Sequence, residues 1–172
     1  MGSINPHIKI NKLLEYSKKL SLKNKNLPKV IIIFNDNSFD KKKFSVLKIP
    51  KNSAFLFRSY NVNDRKKIAK QLLKFCRMNG LKLLISSDIK MAREINADGI
   101  HLPEYMIYNQ TKINWKNFKI LKNKFKWFVT VAAHNKKTIY KATQNNIDAA
   151  ILSPIFPTKS HRNTPGLGIT KL

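Results

Sequence analysis

The segment at residues 153–162 (SPIFPTKSHR) carries side chains that can bind an anion. Pro154 and Pro157 restrict its backbone, so its polar side chains can converge on a ligand at a low cost in conformational entropy. Hydroxyl groups and cations both donate hydrogen bonds to phosphate oxygens. The candidate phosphate ligands are Thr158, Lys159, Ser160, His161 and Arg162. A basic surface loop that binds nothing is the alternative.

The elements that must position this loop alternate between apolar runs and amphipathic stretches. Apolar runs of strand length lie at residues 29–36, 54–58, 82–86, 99–102, 127–133 and 149–155. Helical periodicity lies at residues 63–79, 88–96, 115–124 and 136–146, and in an N-terminal segment at 4–27. The run at 29–36 (KVIIIFND) is continuous and rich in β-branched residues, which predicts a strand buried on both faces.

The repeated order of strand, helix and strand predicts right-handed crossovers and one parallel sheet. Periodicity leaves a closed barrel and an open doubly wound sheet both possible. No glycine-rich dinucleotide fingerprint follows the first strand, which favours the barrel. Asn63 and Asp88 are predicted helix N-caps, and Gly80 is predicted to end the helix at residues 63–79.

Length and charge limit the function classes. The 172 residues fit one domain, at residues 1–172. The net charge of +25 comes from 34 Lys and Arg against 9 Asp and Glu, and only five of the basic residues are Arg. Proteins dedicated to nucleic acids concentrate Arg and aromatic residues on one face. We therefore predict no specific nucleic-acid partner.

Apolar runs and cysteine usage predict the compartment. No stretch of about 18 apolar residues occurs, and the N-terminus carries no apolar run of signal-peptide length. The sequence therefore predicts a cytoplasmic protein without a membrane partner. Cys76, the single cysteine, lies among apolar residues of a helical pattern and is predicted to be a buried thiol.

Two longer blocks carry motifs. Residues 83–102 (LLISSDIKMAREINADGIHL) end in ADGIH, and residues 130–169 contain VAAHN, SPIFPT and PGLG. The first block resembles the third strand, helix and fourth strand of the thiamine phosphate synthase/TenI family. The second resembles the fifth strand with its His turn, the next helix, the sixth strand and the GPIFPT…K…PLG loop of that family. Since order and spacing agree, the chain is identified as a member.

The resemblance implies a fold and a ligand. The fold would be α/β, a TIM-type (β/α) barrel that binds a thiazole phosphate over its C-terminal face. About six of the eight β/α units of the family are present, so a C-terminally truncated barrel is expected. Six strands cannot close such a barrel, and unpaired edges recruit other chains. Three outcomes are therefore expected as alternatives: a homo-oligomer paired across the gap, an opening into a flatter sheet, or a longer natural protein of which this chain is a part.

Arg58 stands where the family has a Gln-x-Arg-x-Lys motif that grips pyrophosphate. The rigid fork of a guanidinium can donate two hydrogen bonds to phosphate oxygens. Leu56 and Tyr60 replace the family's Gln and Lys. In the SPIFPT loop, His161 stands where the family has a catalytic Lys, unless Lys159 or Arg162 takes that role.

His134 matches the histidine that TenI-type tautomerases use as an acid and base. Imidazole ordinarily titrates near pH 6.5, which suits proton transfer to and from a thiazole carbon. Synthases carry this histidine too, so a hydrogen-bonded structural role is an equal alternative. His101 lies inside a strand pattern and is expected to be a packed, hydrogen-bonded core residue.

Ser86, Ser87 and Met106 stand at the positions where the family has its magnesium ligands. Neither a hydroxyl nor a thioether replaces a hard anionic ligand of Mg²⁺. Asp88 and Glu104 are nearby carboxylates that could substitute, although Asp88 is more simply a helix cap. Mg²⁺ is therefore a candidate cofactor whose usual ligands are absent, and no metal ligand is assigned.

Three functional hypotheses follow from the resemblance. The first is a thiamine-biosynthesis protein that joins hydroxymethylpyrimidine pyrophosphate to thiazole phosphate, with a degenerate metal site. The second is a TenI-like thiazole tautomerase that uses His134 without a metal. The third is a non-catalytic protein that binds a phosphate ligand or an interaction partner. Thiazole phosphate and hydroxymethylpyrimidine pyrophosphate are the expected small-molecule partners.

Overall fold

Strands and helices alternate along the part of the chain that the structure, a computed structural model, describes. The described residues are 15, 16, 19, 27–35, 39, 40, 42, 49–109, 111–156, 166 and 168. The strands are β1 (Ile31–Phe34), β2 (Ala54–Phe57), β3 (Lys82–Ser86), β4 (Gly99–Leu102), β5 (Phe128–Ala133) and β6 (Ala149–Leu152). The helices are α1 (Arg65–Met78), α2 (Ile89–Ile95), α3 (Glu104–Tyr108), α4 (Trp115–Phe125) and α5 (Lys136–Gln144). These elements form two compact units. The first contains the described residues up to 85 together with residues 89–98, and the second contains residues 86–88 together with the described residues from 99 onwards.

The first unit is built on parallel pairing of β2 with β1 and with β3. Ala54 is the register partner of Ile31 on one side and of Lys82 on the other. All four side chains of β2 are buried, and α1 buries its apolar stripe, including Leu72. An aromatic cluster fills this core, with the Phe55 and Phe75 rings 5.9 Å apart in edge contact. Cys76 is a buried free thiol, as predicted, and this burial, with a smaller contribution from Asp98, raises its pKa to about 12.

The second unit is built on parallel pairing of β5 with β4 and with β6. Thr130 is the register partner of His101 and of Ala149. The helices α3 and α4 lie between β4 and β5 in sequence, and α5 lies between β5 and β6. Asn114 caps α4 and Asn135 caps α5, each through a side-chain oxygen that accepts a backbone N–H. The prediction of an α/β chain with parallel strands is confirmed within each unit.

Two local predictions were wrong. The predicted strand at residues 29–36 is limited to Ile31–Phe34, and it is not buried on both faces, because its Ile33 side chain is 48% exposed. Asn63 does not cap α1, because the helix begins at Arg65. The residue before it, Asp64, has a left-handed backbone (φ 55°) and makes no side-chain cap bond, a conformation that Asp tolerates better than most residues.

Two further local predictions concern Gly80 and the N-terminal segment. Gly80 ends α1 as predicted, with φ +64° and its N–H directed at the Arg77 carbonyl. Of the predicted helix at residues 4–27, the structure describes Glu15, Tyr16 and Lys19 as helical and Leu27 as a bend. In the part of the chain that the structure describes, no helix has both the length and the apolar character to cross a membrane.

Asp148 ties the start of β6 to β5. Its N–H donates to the Val129 carbonyl at 3.0 Å, and its Oδ2 accepts from the Val129 N–H at 2.7 Å. Its Oδ1 pairs with Lys122 Nζ at 2.8 Å. Asp98 makes the same two hydrogen bonds with the backbone of Leu83. At two places in this chain, therefore, the aspartate just before a strand binds the backbone of the strand that precedes it.

We expect Asp148→Ala to lower the free energy of unfolding by about 1–3 kcal/mol, since it removes the acceptor of a buried N–H group. Urea denaturation followed by circular dichroism measures this change. Glu94→Ala is the control, because the ion pair of Glu94 with Lys66 is exposed and should change stability little. Equal stability of the two variants would contradict the role assigned to Asp148.

Candidate functional site

His134 lies at the carboxyl end of β5 and contacts the start of the SPIFPT segment. Its Nδ1 lies 2.5 Å from the carbonyl oxygen of Ser153. A carbonyl only accepts, so Nδ1 carries the proton, and in the neutral ring Nε2 then carries the lone pair. The Ser153 N–H also donates to the Ala133 carbonyl at 3.0 Å. The turn after β5 and the turn after β6 are thereby joined.

Glu104 binds the same turn from α3. Its Oε1 accepts from the His134 backbone N–H and from Asn135 Nδ2, both at 3.1 Å. The Thr138 hydroxyl donates to the same oxygen. The Tyr108 hydroxyl lies 2.9 Å from Thr138 Oγ1, so α3 and α5 are connected through one hydrogen-bonded network.

The loop that follows β6 is closed where its two ends meet. The Gly168 N–H donates to the Ile155 carbonyl at 2.9 Å. Gly166 lies so close to residues 155 and 156 that an added Cβ would be 2.5 Å from the Ile155 oxygen. The loop therefore starts and ends at one place beside β6. The predicted phosphate ligands between these ends, Thr158, Lys159, Ser160, His161 and Arg162, lie outside the described residues.

Arg58 belongs to the first unit and directly follows β2. Its backbone N–H donates to the Phe34 carbonyl at 2.9 Å, and its side chain is exposed. It lines a cavity of about 330 Å³, together with Asn35, Ser59, Tyr60, Asn61 and Val62. The position at the carboxyl end of a parallel strand agrees with the sequence-based expectation, and its role in binding phosphate stays a prediction.

Ser86, Ser87 and Met106, which match the family's magnesium ligands, offer Mg²⁺ no carboxylate. Ser86 and Met106 are buried, and Met106 offers only a thioether. The Glu104 carboxylate already accepts three hydrogen bonds. Among the described residues, no three His, Cys, Asp or Glu side chains are grouped to hold a metal ion. The residues aligned with the family's ligands therefore lack the anionic oxygens that Mg²⁺ prefers, and a degenerate metal site stays a prediction.

His101 is a core residue, as predicted. It is 5% exposed, and its Nδ1 lies 2.9 Å from Oγ1 of the fully buried Thr130 on the neighbouring strand. This hydrogen bond satisfies a polar ring inside an apolar sheet.

The sequence did not identify Asn135, Thr138 or Ser153 as hydrogen-bond partners in this site. It offered Glu104 as a substitute ligand for Mg²⁺ instead. The spacing of Asn135 and Thr138 is that of a helix N-cap and the third helical residue, so this signal was available. The partnership of Glu104 with a turn some 30 residues later left no signal in the sequence.

Comparisons with known proteins agree with the motifs. The thiamine monophosphate synthase (TMP-TENI) family matches residues 45–172, more than half of the chain. A thiamine-phosphate synthase of Limosilactobacillus reuteri is 29% identical over 112 residues, covering 64% of this chain and 49% of the relative. A thiamine-phosphate synthase of Geobacillus kaustophilus is 29% identical over 100 residues, covering 56% of this chain and 40% of the relative. The chain spans about half the length of the curated relatives it matches.

A solved structure supports the fold. Thiamine phosphate pyrophosphorylase from Pyrococcus furiosus matches with a TM-score of 0.61 and 14% identity, covering 85% of this chain and 67% of that chain. At this identity the likeness concerns the fold alone, and it supports the expected α/β, TIM-like arrangement. Barrel closure and truncation stay predictions. On its motifs and on the match over residues 45–172, the chain belongs to the thiamine monophosphate synthase family.

Proposed function

We propose that this chain binds a thiazole phosphate and joins it to hydroxymethylpyrimidine pyrophosphate, as a thiamine phosphate synthase-like transferase. The thiazole nitrogen would form a bond to the pyrimidine methylene carbon, and the bond from that carbon to pyrophosphate would break. The leaving pyrophosphate takes the bonding electron pair. Family membership and the names of the relatives support this reaction class.

The observation that carries the proposal is the anchoring of the SPIFPT loop at both ends. Ser153 is bound by the β5 turn through His134 and Ala133, and Ile155 is bound by Gly168. A loop closed in this way loses less conformational entropy when its side chains bind a ligand. The hydroxyls and cations that lie between the anchors in sequence are suited to phosphate oxygens.

We expect Arg58→Ala and Thr158→Ala each to weaken the binding of a thiazole phosphate by about tenfold, which corresponds to about 1.4 kcal/mol. Isothermal titration calorimetry measures the dissociation constants. Arg77→Ala and Thr111→Ala are matched controls, because both residues are exposed and neither is a proposed phosphate ligand. Unchanged affinity in both variants would refute the phosphate-binding roles of Arg58 and Thr158.

The His134 geometry favours a second candidate, a thiazole tautomerase. Donation by Nδ1 to the Ser153 carbonyl places the lone pair of the neutral ring on Nε2, so the ring can accept a proton there. This reaction needs no metal, which agrees with the poor fit of the donor set to Mg²⁺.

Assays with and without Mg²⁺ distinguish the candidates. Formation of thiamine phosphate from both substrates supports the synthase, and isomerisation of a thiazole phosphate alone supports the tautomerase. Tight binding with neither reaction would contradict both enzymes and support a ligand-binding protein.

A further inference from the structure

The carboxylate of Glu104 holds the backbone of the residue that carries the candidate catalytic imidazole. Its Oε1 accepts the His134 N–H at 3.1 Å and the Asn135 side-chain amide at 3.1 Å. Hydrogen bonds to an ionised acceptor are roughly twice as strong as those between neutral groups. We propose that Glu104 is a positioning residue that sets the orientation and the tautomer of His134. This inference rests on the proposed catalytic role of His134.

Glu104 is itself held by a chain of hydroxyl groups. Thr138 is fully buried, and its hydroxyl lies within hydrogen-bond distance of Glu104 Oε1 and, at 3.2 Å, of Asn135 Oδ1. The carboxylate is the stronger acceptor of its single proton. The Tyr108 hydroxyl, 2.9 Å from Thr138 Oγ1, is then the donor to Thr138. Such consecutive hydrogen bonds strengthen one another. Because Glu104 and Tyr108 stand at the two ends of α3, this short helix is fixed against α5 at both ends.

His134 is thereby fixed at two points, its backbone N–H by Glu104 and its ring Nδ1 by the Ser153 carbonyl. Without the first contact, the turn can rotate, and Nδ1 loses its alignment with the carbonyl. The ring can then carry its proton on Nε2, which removes the base from the position where a substrate would meet it. Glu104 never needs to touch the substrate in this role.

The test compares the full-length chain with Glu104→Ala and Glu104→Gln. Imidazole nitrogens are observed by ¹⁵N NMR at about pH 8, where the ordinary imidazole is neutral. The chain has four histidines, and the His134 signals are those lost in His134→Asn. In Glu104→Ala we expect Nδ1 to change from a protonated towards an unprotonated nitrogen. Glu104→Gln, which keeps an acceptor oxygen without charge, should change less.

Kinetics provide the second measurement. Glu104→Ala should lower the kcat of thiazole isomerisation by about tenfold with little change in KM, because a displacement of the catalytic group by 1 Å can cost roughly 100-fold. Glu94→Gln is the matched control, an exposed glutamate in α2, and should change neither readout. If Glu104→Ala does not fold, Glu104→Gln carries the test.

The outcomes separate this proposal from the proposed function. A folded Glu104→Ala variant that keeps the protonated Nδ1 overturns the positioning role, even if the wild type turns over, and so does a Glu104→Gln variant identical to the wild type in both readouts. A tautomer change in a chain that has no turnover supports the positioning role and counts against the enzymatic function. A fall in kcat with an unchanged tautomer also overturns the proposal.

Discussion

Gly166→Ala is expected to open the loop after β6 and to weaken the binding of a thiazole phosphate by roughly 10- to 100-fold. The added Cβ would lie 2.5 Å from the Ile155 oxygen and 2.8 Å from the carbonyl carbon and Cα of Phe156. These are backbone atoms, so no side-chain rotation relieves the contact. The two ends of the loop must separate, and the entropy of ordering it must then be overcome when the ligand binds.

Calorimetry and thermal unfolding together measure this effect. Gly80→Ala is the matched control, because Gly80 has φ +64° but open space around its Cβ position. That control should cost about 1–2 kcal/mol of stability through backbone strain and leave ligand affinity unchanged. A Gly166→Ala variant with wild-type affinity and stability would show that the close approach does not hold the loop.

The sequence predicted elements well where the apolar pattern has clear ends. The bounds of β3 and β4 agree with the sequence-based ones, residues 82–86 and 99–102. The prediction failed where burial depends on neighbours, as at Ile33, because a run of apolar residues does not say which face the fold covers. The strand expected at 149–155 ends at Leu152, because Pro154 has no N–H for the ladder and the Ser153 carbonyl binds His134.

The candidate site was predicted from motifs but not from chemistry alone. His134 was found because the VAAHN turn resembles the family. Glu104 was considered as a substitute metal ligand, whereas its carboxylate binds the turn after β5. That contact depends on α3, a helix of five residues, which is too short for a periodic pattern to predict.

Isomerisation of a thiazole phosphate should fall by about 10²- to 10⁴-fold in both His134→Asn and His134→Ala, because the tautomerase reaction needs His134 to transfer a proton. Asparagine keeps a side-chain N–H that can donate to the Ser153 carbonyl, but it lacks a titratable nitrogen. Alanine removes both functions. The pair therefore separates proton transfer from the anchoring of the SPIFPT loop.

The affinity for a thiazole phosphate shows whether His134 also anchors the SPIFPT loop, apart from any proton transfer. In His134→Asn the loop stays anchored, so the dissociation constant of a thiazole phosphate should stay within about threefold of the wild type. In His134→Ala the Ser153 carbonyl loses its ring donor, and affinity should fall by roughly tenfold as well. Calorimetry gives the constants and single-turnover kinetics give the rates. If His134→Asn retains wild-type turnover, the imidazole is a structural hydrogen-bond donor and transfers no proton.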